Sequence, residues 1–117
     1  MRSLLLIEDD LGTANLLKIL FEIEGIECFA PDDFQLQTIN QLILEKVPDV
    51  ILMDINLKQN NGLTIFKSLK ELKSLNENTK VILTSGSDLK EKCLAAGADY
   101  FLLKPYMPDE LLSKIKA

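Results

Sequence analysis

The chain has 117 residues, 47% of them apolar and 26% charged, with a formal net charge of −5, which is the size and composition of one ordinary globular domain. The acidic balance, with no dense Lys/Arg cluster, argues against a nucleic-acid surface, and no apolar run approaches the ~20 residues needed to span a membrane. Histidine is absent, which excludes a Ser-His-Asp triad, a His-ligated zinc and a phosphohistidine on this chain.

Leu4-Leu5-Leu6-Ile7 reads as a buried first strand that ends in Glu8-Asp9-Asp10. Asp10 or Gly12 then opens a helix whose apolar residues Leu16, Leu17, Leu20 and Ile23 recur at helical spacing, and Gly25 stops it. Residues 26–30 form a second strand, and Pro31-Asp32-Asp33 a turn and cap. Leu36, Ile39, Leu42 and Ile43 stripe a second helix, ended by Pro48. Val50-Ile51-Leu52-Met53 is too short for a globular helix and suits a strand buried on both faces, with Asp54 at its carboxyl end.

A polar loop, 58–62, leads to a third helix with Ile65, Phe66, Leu69 and Leu72 inward and Lys67, Lys70 and Lys73 outward. Val81-Ile82-Leu83-Thr84 is a fourth strand, and Ser85-Gly86-Ser87 caps a short fourth helix ending at Gly97. Residues 100–103 form a fifth strand ending in Lys104-Pro105. Pro108 starts the last helix, with Asp109 and Glu110 in its first turn and Lys114 and Lys116 in its last.

Five Val/Ile/Leu-rich strands alternating with five helices specify an α/β fold, a doubly wound parallel sheet with right-handed crossovers. The flavodoxin-like (βα)5 order 2-1-3-4-5 is expected, which sets the ends of strands 1 and 3 side by side at the switch point where such sheets bind ligands. Glu8, Asp9 and Asp54 then share one crevice, flanked by Thr84 and Lys104. Alone, Asp54 could simply start a turn; the other strand ends give it meaning. Two like charges ~4 Å apart cost on the order of 4 kcal/mol at an effective dielectric near 20. The natural compensation is a hard divalent cation, and oxygen ligands without His or Cys point to Mg²⁺, with Mn²⁺ as a substitute.

The sequence lacks a GxxxxGK[ST] loop and a GxGxxG turn, so no built-in nucleotide site is expected. Cys28 and Cys93 have neither metal nor disulfide-framework spacing, and reduced thiols in the cytoplasm are the expectation.

Over its whole length the sequence resembles the receiver domain of two-component response regulators, the CheY-like family. The resemblance rests on Glu8-Asp9 after strand 1, Asp54 after strand 3, Gly62 eight residues on, Thr84 after strand 4 and Lys104-Pro105 after strand 5. It implies a single receiver domain over 1–117 with no effector domain, either a stand-alone switch or relay carrier or a piece of a longer regulator. Asp54 would be the phosphoacceptor. Asp9 would ligate Mg²⁺, Glu8 would act through its bound water, and Asn56 would lend a backbone carbonyl. Lys104 and the Thr84 hydroxyl would hold phosphoryl oxygens, and Phe101 would follow Thr84 as the switch aromatic. The donor would be a histidine kinase, a histidine phosphotransfer protein or a small acyl phosphate. The output would be a downstream protein partner, with a homodimer admissible, through helix 4, strand 5 and helix 5.

Asp10 reads as a helix cap, and Asp9 is preferred over it as the ligand. Asn56 and Gly86 occupy positions that tune dephosphorylation in the family, while Tyr106 and Met107 read as packing residues. Three features depart from the family pattern: Lys58 where proline is frequent, Ser85 where alanine is usual, and a Thr84-to-Phe101 spacing about two residues short. Two other readings stay open. One is a receiver-like interaction module that works without phosphorylation. The other is a haloacid-dehalogenase-type enzyme, which wants a second acid and a threonine where Asn56 and Lys58 stand.

Overall fold

The computed structural model describes residues 2–117. Five strands and five helices alternate: β1 (Ser3–Ile7), α1 (Leu11–Ile23), β2 (Glu27–Phe29), α2 (Leu36–Lys46), β3 (Val50–Asp54), α3 (Gly62–Glu71), β4 (Lys80–Ser85), α4 (Lys90–Ala95), β5 (Tyr100–Leu103) and α5 (Pro108–Lys116). All strand pairs are parallel, in the order β2-β1-β3-β4-β5.

The short aliphatic runs become central strands because both of their faces are covered. Successive side chains alternate across a strand, so each run feeds two cores. Leu5, Ile7, Ile51 and Met53 pack with Ile39 and Ile43 of α2, Ile65, Phe66 and Leu69 of α3, and Cys93 of α4. Leu4, Leu6, Val50, Leu52 and Ile82 pack with Ala14, Leu17 and Phe21 of α1 and with Leu111 and Ile115 of α5. Each fully buried aliphatic is worth roughly 1.5–3 kcal/mol of transfer free energy, so the sheet is a rigid base for whatever sits at its ends.

Local signals place the helix ends. The Asp10 side chain accepts the Thr13 N–H at 2.9 Å and caps α1, and Gly25, at φ +72, turns the chain back. A side chain at Gly25 would be strained in that left-handed conformation. Pro108 opens α5 as expected.

The structure corrects four details of the sequence reading. Leu16 and Ile23 of α1 are 70% and 74% exposed; Ala14, Leu17 and Phe21 form the buried stripe instead. The helix is apolar around much of its circumference, so spacing alone left its rotation open, and the sheet chose the face carrying the large Phe21. Leu72 is 55% exposed, because α3 ends at Glu71 and Leu72 falls on its cap. Residues 85–87 do not cap α4: Ser85 ends β4, and the six-residue α4 starts at Lys90 after Leu89. Met107, read as a packing residue, is exposed, whereas Tyr106 packs against the α1/α5 core.

Candidate functional site

The sheet register assembles the site. Ile7 pairs with Met53 and Asp54 with Thr84, so the residues just beyond β1 lie beside the end of β3, and β4 flanks it. Ser85 pairs with Leu103, and the Lys104 N–H donates to the Ser85 carbonyl at 2.8 Å, which brings Lys104 to the same edge. The peptide bond from Lys104 to Pro105 is cis.

Glu8, Asp9 and Asp54 converge there, each offering a carboxylate oxygen within 4.8 Å of the others. The Lys104 ammonium donates to Glu8 Oε1 at 2.6 Å and to Asp54 Oδ2 at 2.8 Å. The other Asp54 oxygen accepts the Asn56 N–H at 2.9 Å, and Glu8 Oε2 accepts the Asp10 N–H at 3.2 Å. Asp9 accepts the Lys58 N–H. Among the described residues, the buried polar side chains are Glu8, Asp54, Thr84 and Ser85. All four stand at this one edge. Burying polar groups is costly unless they are paired, so their concentration marks the edge as built for chemistry.

The electrostatics agree. Burial pushes the Glu8 carboxyl above its ordinary range, and the Lys104 hydrogen bond only partly opposes that. Burial would lower the Lys104 ammonium, but its hydrogen bonds to Asp54 and Glu8 and their charges outweigh it and raise the group. Lys104 therefore stays cationic and serves two carboxylates at once. Three acids against one base leave a surplus of negative charge. The donor set is all oxygen and free of His and Cys, which fits a hard divalent cation of the Mg²⁺ type.

The β3–α3 loop is shaped to its task. Gly62 donates its N–H to the Ile55 carbonyl at 2.8 Å, and a Cβ there would stand 2.4 Å from the Asp54 carbonyl oxygen. Only glycine lets the loop fold so closely under the Asp54 backbone.

Of the residues singled out by sequence, Glu8, Asp9, Asp54, Thr84 and Lys104 come together. Asn56 joins through its backbone N–H. Phe101 pairs with Leu83 and sits half-buried against the α2/α3/α4 core. Two contacts escaped the sequence reading. Glu8 pairs directly with Lys104, 96 positions away. The buried Ser85 hydroxyl donates to Asn56 Oδ1 at 2.8 Å. The only hint of the second was a serine where the family pattern has alanine.

Beside Lys104 opens a groove of about 570 Å³ between α1 and α5, lined by Thr13, Leu16, Leu20, Tyr106 and Leu111 among others. No helix among the described residues is long and apolar enough to cross a membrane.

Comparison with known proteins agrees with this geometry. The family described as "Response regulator receiver domain" matches residues 4–116. The chain is 34% identical over 118 residues to the cell cycle transcriptional regulator CtrA of Caulobacter vibrioides, covering 97% of this chain and 48% of that protein. It is 35% identical over 111 residues to the aerobic respiration control protein ArcA of Escherichia coli, covering 92% and 44%. It thus spans about half the length of these relatives. The solved receiver domain of the Francisella response regulator 1452 superposes with a TM-score of 0.86 at 29% identity, over 99% of this chain and 94% of that one. With the matched family, the sheet order and the strand-end acidic edge all in agreement, this chain belongs to the receiver domains of two-component response regulators.

Proposed function

We propose that Asp54 accepts a phosphoryl group from a phosphohistidine of a histidine kinase or phosphotransfer protein, or from a small acyl phosphate. The observation that carries this is the Glu8–Lys104–Asp54 cluster, in which a half-buried lysine bridges two buried carboxylates at 2.6 and 2.8 Å. An Asp54 carboxylate oxygen attacks phosphorus, the donor's N–P or O–P bond breaks, and the electron pair leaves with the imidazole or carboxylate. The product is an acyl phosphate on Asp54. Lys104, already on Asp54 Oδ2, shifts its hydrogen bond to a phosphoryl oxygen, and the Thr84 hydroxyl, one strand away, donates to another. Phosphoryl transfer needs chiefly positioning and charge neutralisation, which these few groups supply.

Asp9, Asp54 and the Asn56 backbone carbonyl would hold Mg²⁺, or Mn²⁺ in its place, with Glu8 acting through water. When bound, the ion supplies neutralisation of the phosphoryl oxygens. Glu8 has a second role here, since it shares the Lys104 ammonium with Asp54.

The donor protein approaches over α1 and the segment after β5, where exposed Leu11, Leu16 and Met107 and the groove beside Lys104 offer apolar contact next to the acceptor. In the phosphorylated state Thr84 moves toward the phosphoryl group and Phe101 follows, repacking the α4–β5–α5 face, where Leu94 and Leu103 are exposed for a downstream partner. The chain is thus a phosphoryl acceptor and switch rather than an enzyme with its own substrate. Its free Cys28 and Cys93 suit the reducing cytoplasm.

Incubation with acetyl phosphate and Mg²⁺, read by intact mass, tests the proposal. One phosphoryl adduct is expected, absent in Asp54→Asn and absent without divalent metal. An unmodified mass, under conditions that label another receiver domain, would leave a docking module that works without phosphorylation.

A further inference from the structure

The contact between Ser85 and Asn56 is not used by the transfer step. Ser85 is 0% exposed. Its hydroxyl accepts the Ser87 N–H at 3.0 Å and donates to Asn56 Oδ1 at 2.8 Å. The Asn56 side chain lies at the exposed mouth of the site, while the same residue's backbone N–H holds Asp54 Oδ1. A side-chain amide has one acceptor end and one donor end. Here the acceptor end is drawn inward onto a buried serine, so the two N–H donors are left for the solvent side.

That orientation matters for the reverse fate of an acyl phosphate. In hydrolysis a water oxygen attacks phosphorus, the P–O bond to Asp54 breaks, inorganic phosphate leaves, and the free carboxylate is restored. The water's proton passes to solvent or phosphate. The attacking water is helped by an acceptor for its hydrogen, which aims its lone pair at phosphorus. An amide N–H cannot do this. An amide carbonyl oxygen can, and Ser85 holds that oxygen turned inward, away from the solvent side.

We propose that Ser85 is a positioning residue that prolongs the phosphorylated state by tethering the Asn56 carbonyl away from attacking water. This rests on the reading of Asp54 as phosphoacceptor. Ser85→Ala frees the amide to turn its oxygen outward. Dephosphorylation accelerates about fivefold, the rate ratio that one neutral hydrogen bond of ordinary strength is worth.

The test is a double-mutant cycle on the decay of the acetyl-phosphate-labelled chain: wild type, Ser85→Ala, Asn56→Ala and both together. The acceleration is expected in the Ser85→Ala single variant and is expected to vanish when Asn56 is already alanine. An equal acceleration in the Asn56→Ala background, or none in either, overturns the proposal, because the effect would then not pass through the amide. A second readout needs no phosphorylation. The Asn56 side-chain amide resonances, assigned by their loss in Asn56→Ala, shift in Ser85→Ala; unmoved resonances also overturn it. If wild type takes no phosphoryl group at all, the acceptor reading falls and this proposal with it. That failure shows in the initial mass, before any decay is measured.

Discussion

The two ends of the sheet treat charge in opposite ways. At the amino end separate polar groups find separate partners. Asp49 accepts the Ser3 N–H at 2.9 Å, Asp99 accepts the Val81 N–H at 2.7 Å, and Lys80 donates to the Lys114 carbonyl at 3.0 Å. At the carboxyl end three carboxylates crowd together with one ammonium shared between two of them, and the buried polar side chains among the described residues all collect there. The first arrangement is what a fold needs to pin down its strand starts. The second is costly to maintain without a cation or a transferred group, and that difference separates the structural edge from the functional one.

The sharpest way to break the contrast is Lys104→Met. Removing the shared cation leaves Glu8 and Asp54 buried without their common partner, and chemical denaturation should show a loss of roughly 3 kcal/mol. In the same variant, any adduct that forms on Asp54 should fail to shift the resonances of Phe101 and the α4–β5–α5 face.

Divalent metal sharpens the contrast next. At a hundredfold excess over its dissociation constant Mg²⁺ should add about 2.7 kcal/mol to the unfolding free energy, and Asp54→Asn should remove most of that increment. At the other end, Asp49→Ala should cost only about 1 kcal/mol, the worth of exposed hydrogen bonds to a strand start, and leave the metal increment intact. Equal sensitivity of the Mg²⁺ effect to both substitutions would erase the distinction between the edges.

The smallest expected effect is a pH dependence. Because burial raises the folded-state pKa of Glu8, the native state binds that proton more tightly than the unfolded chain does. Its contribution to stability therefore falls as pH climbs from the ordinary carboxylate value through the raised one. Glu8→Gln should flatten the stability profile in that window. Lys104→Met should move the Glu8 titration, followed by side-chain NMR, further upward, since the lysine hydrogen bond is the largest influence opposing burial there.

Several parts of this site are legible in the sequence alone. The strand ends carry their chemistry in single letters: Glu8, Asp54, Thr84 and Lys104 each follow an aliphatic run, and a parallel sheet necessarily brings such positions to one edge. Asp10 as a cap and Pro108 as a helix start are likewise local, satisfied by neighbours within a turn. The pairing of Glu8 with Lys104 was not readable, because a lysine that can reach two acids gives no sign in sequence of how it divides between them. Nor was the tie between Ser85 and Asn56, which depends on the end of β4 lying beside the β3–α3 loop.

By itself, then, the order of residues determined the alternation of strands and helices, the parallel sheet and the set of groups at its carboxyl edge, since short doubly buried runs and caps act over a few residues. The tertiary structure alone decided which side of α1 is buried, with Phe21 inside and Leu16 and Ile23 outside. It also decided which two of the three acids hold Lys104 and which end of the Asn56 amide faces water. Those outcomes turn on how elements far apart in the chain meet in space, where sub-ångström fit and the competition of several acceptors for one donor select a single arrangement from many that local pattern allows.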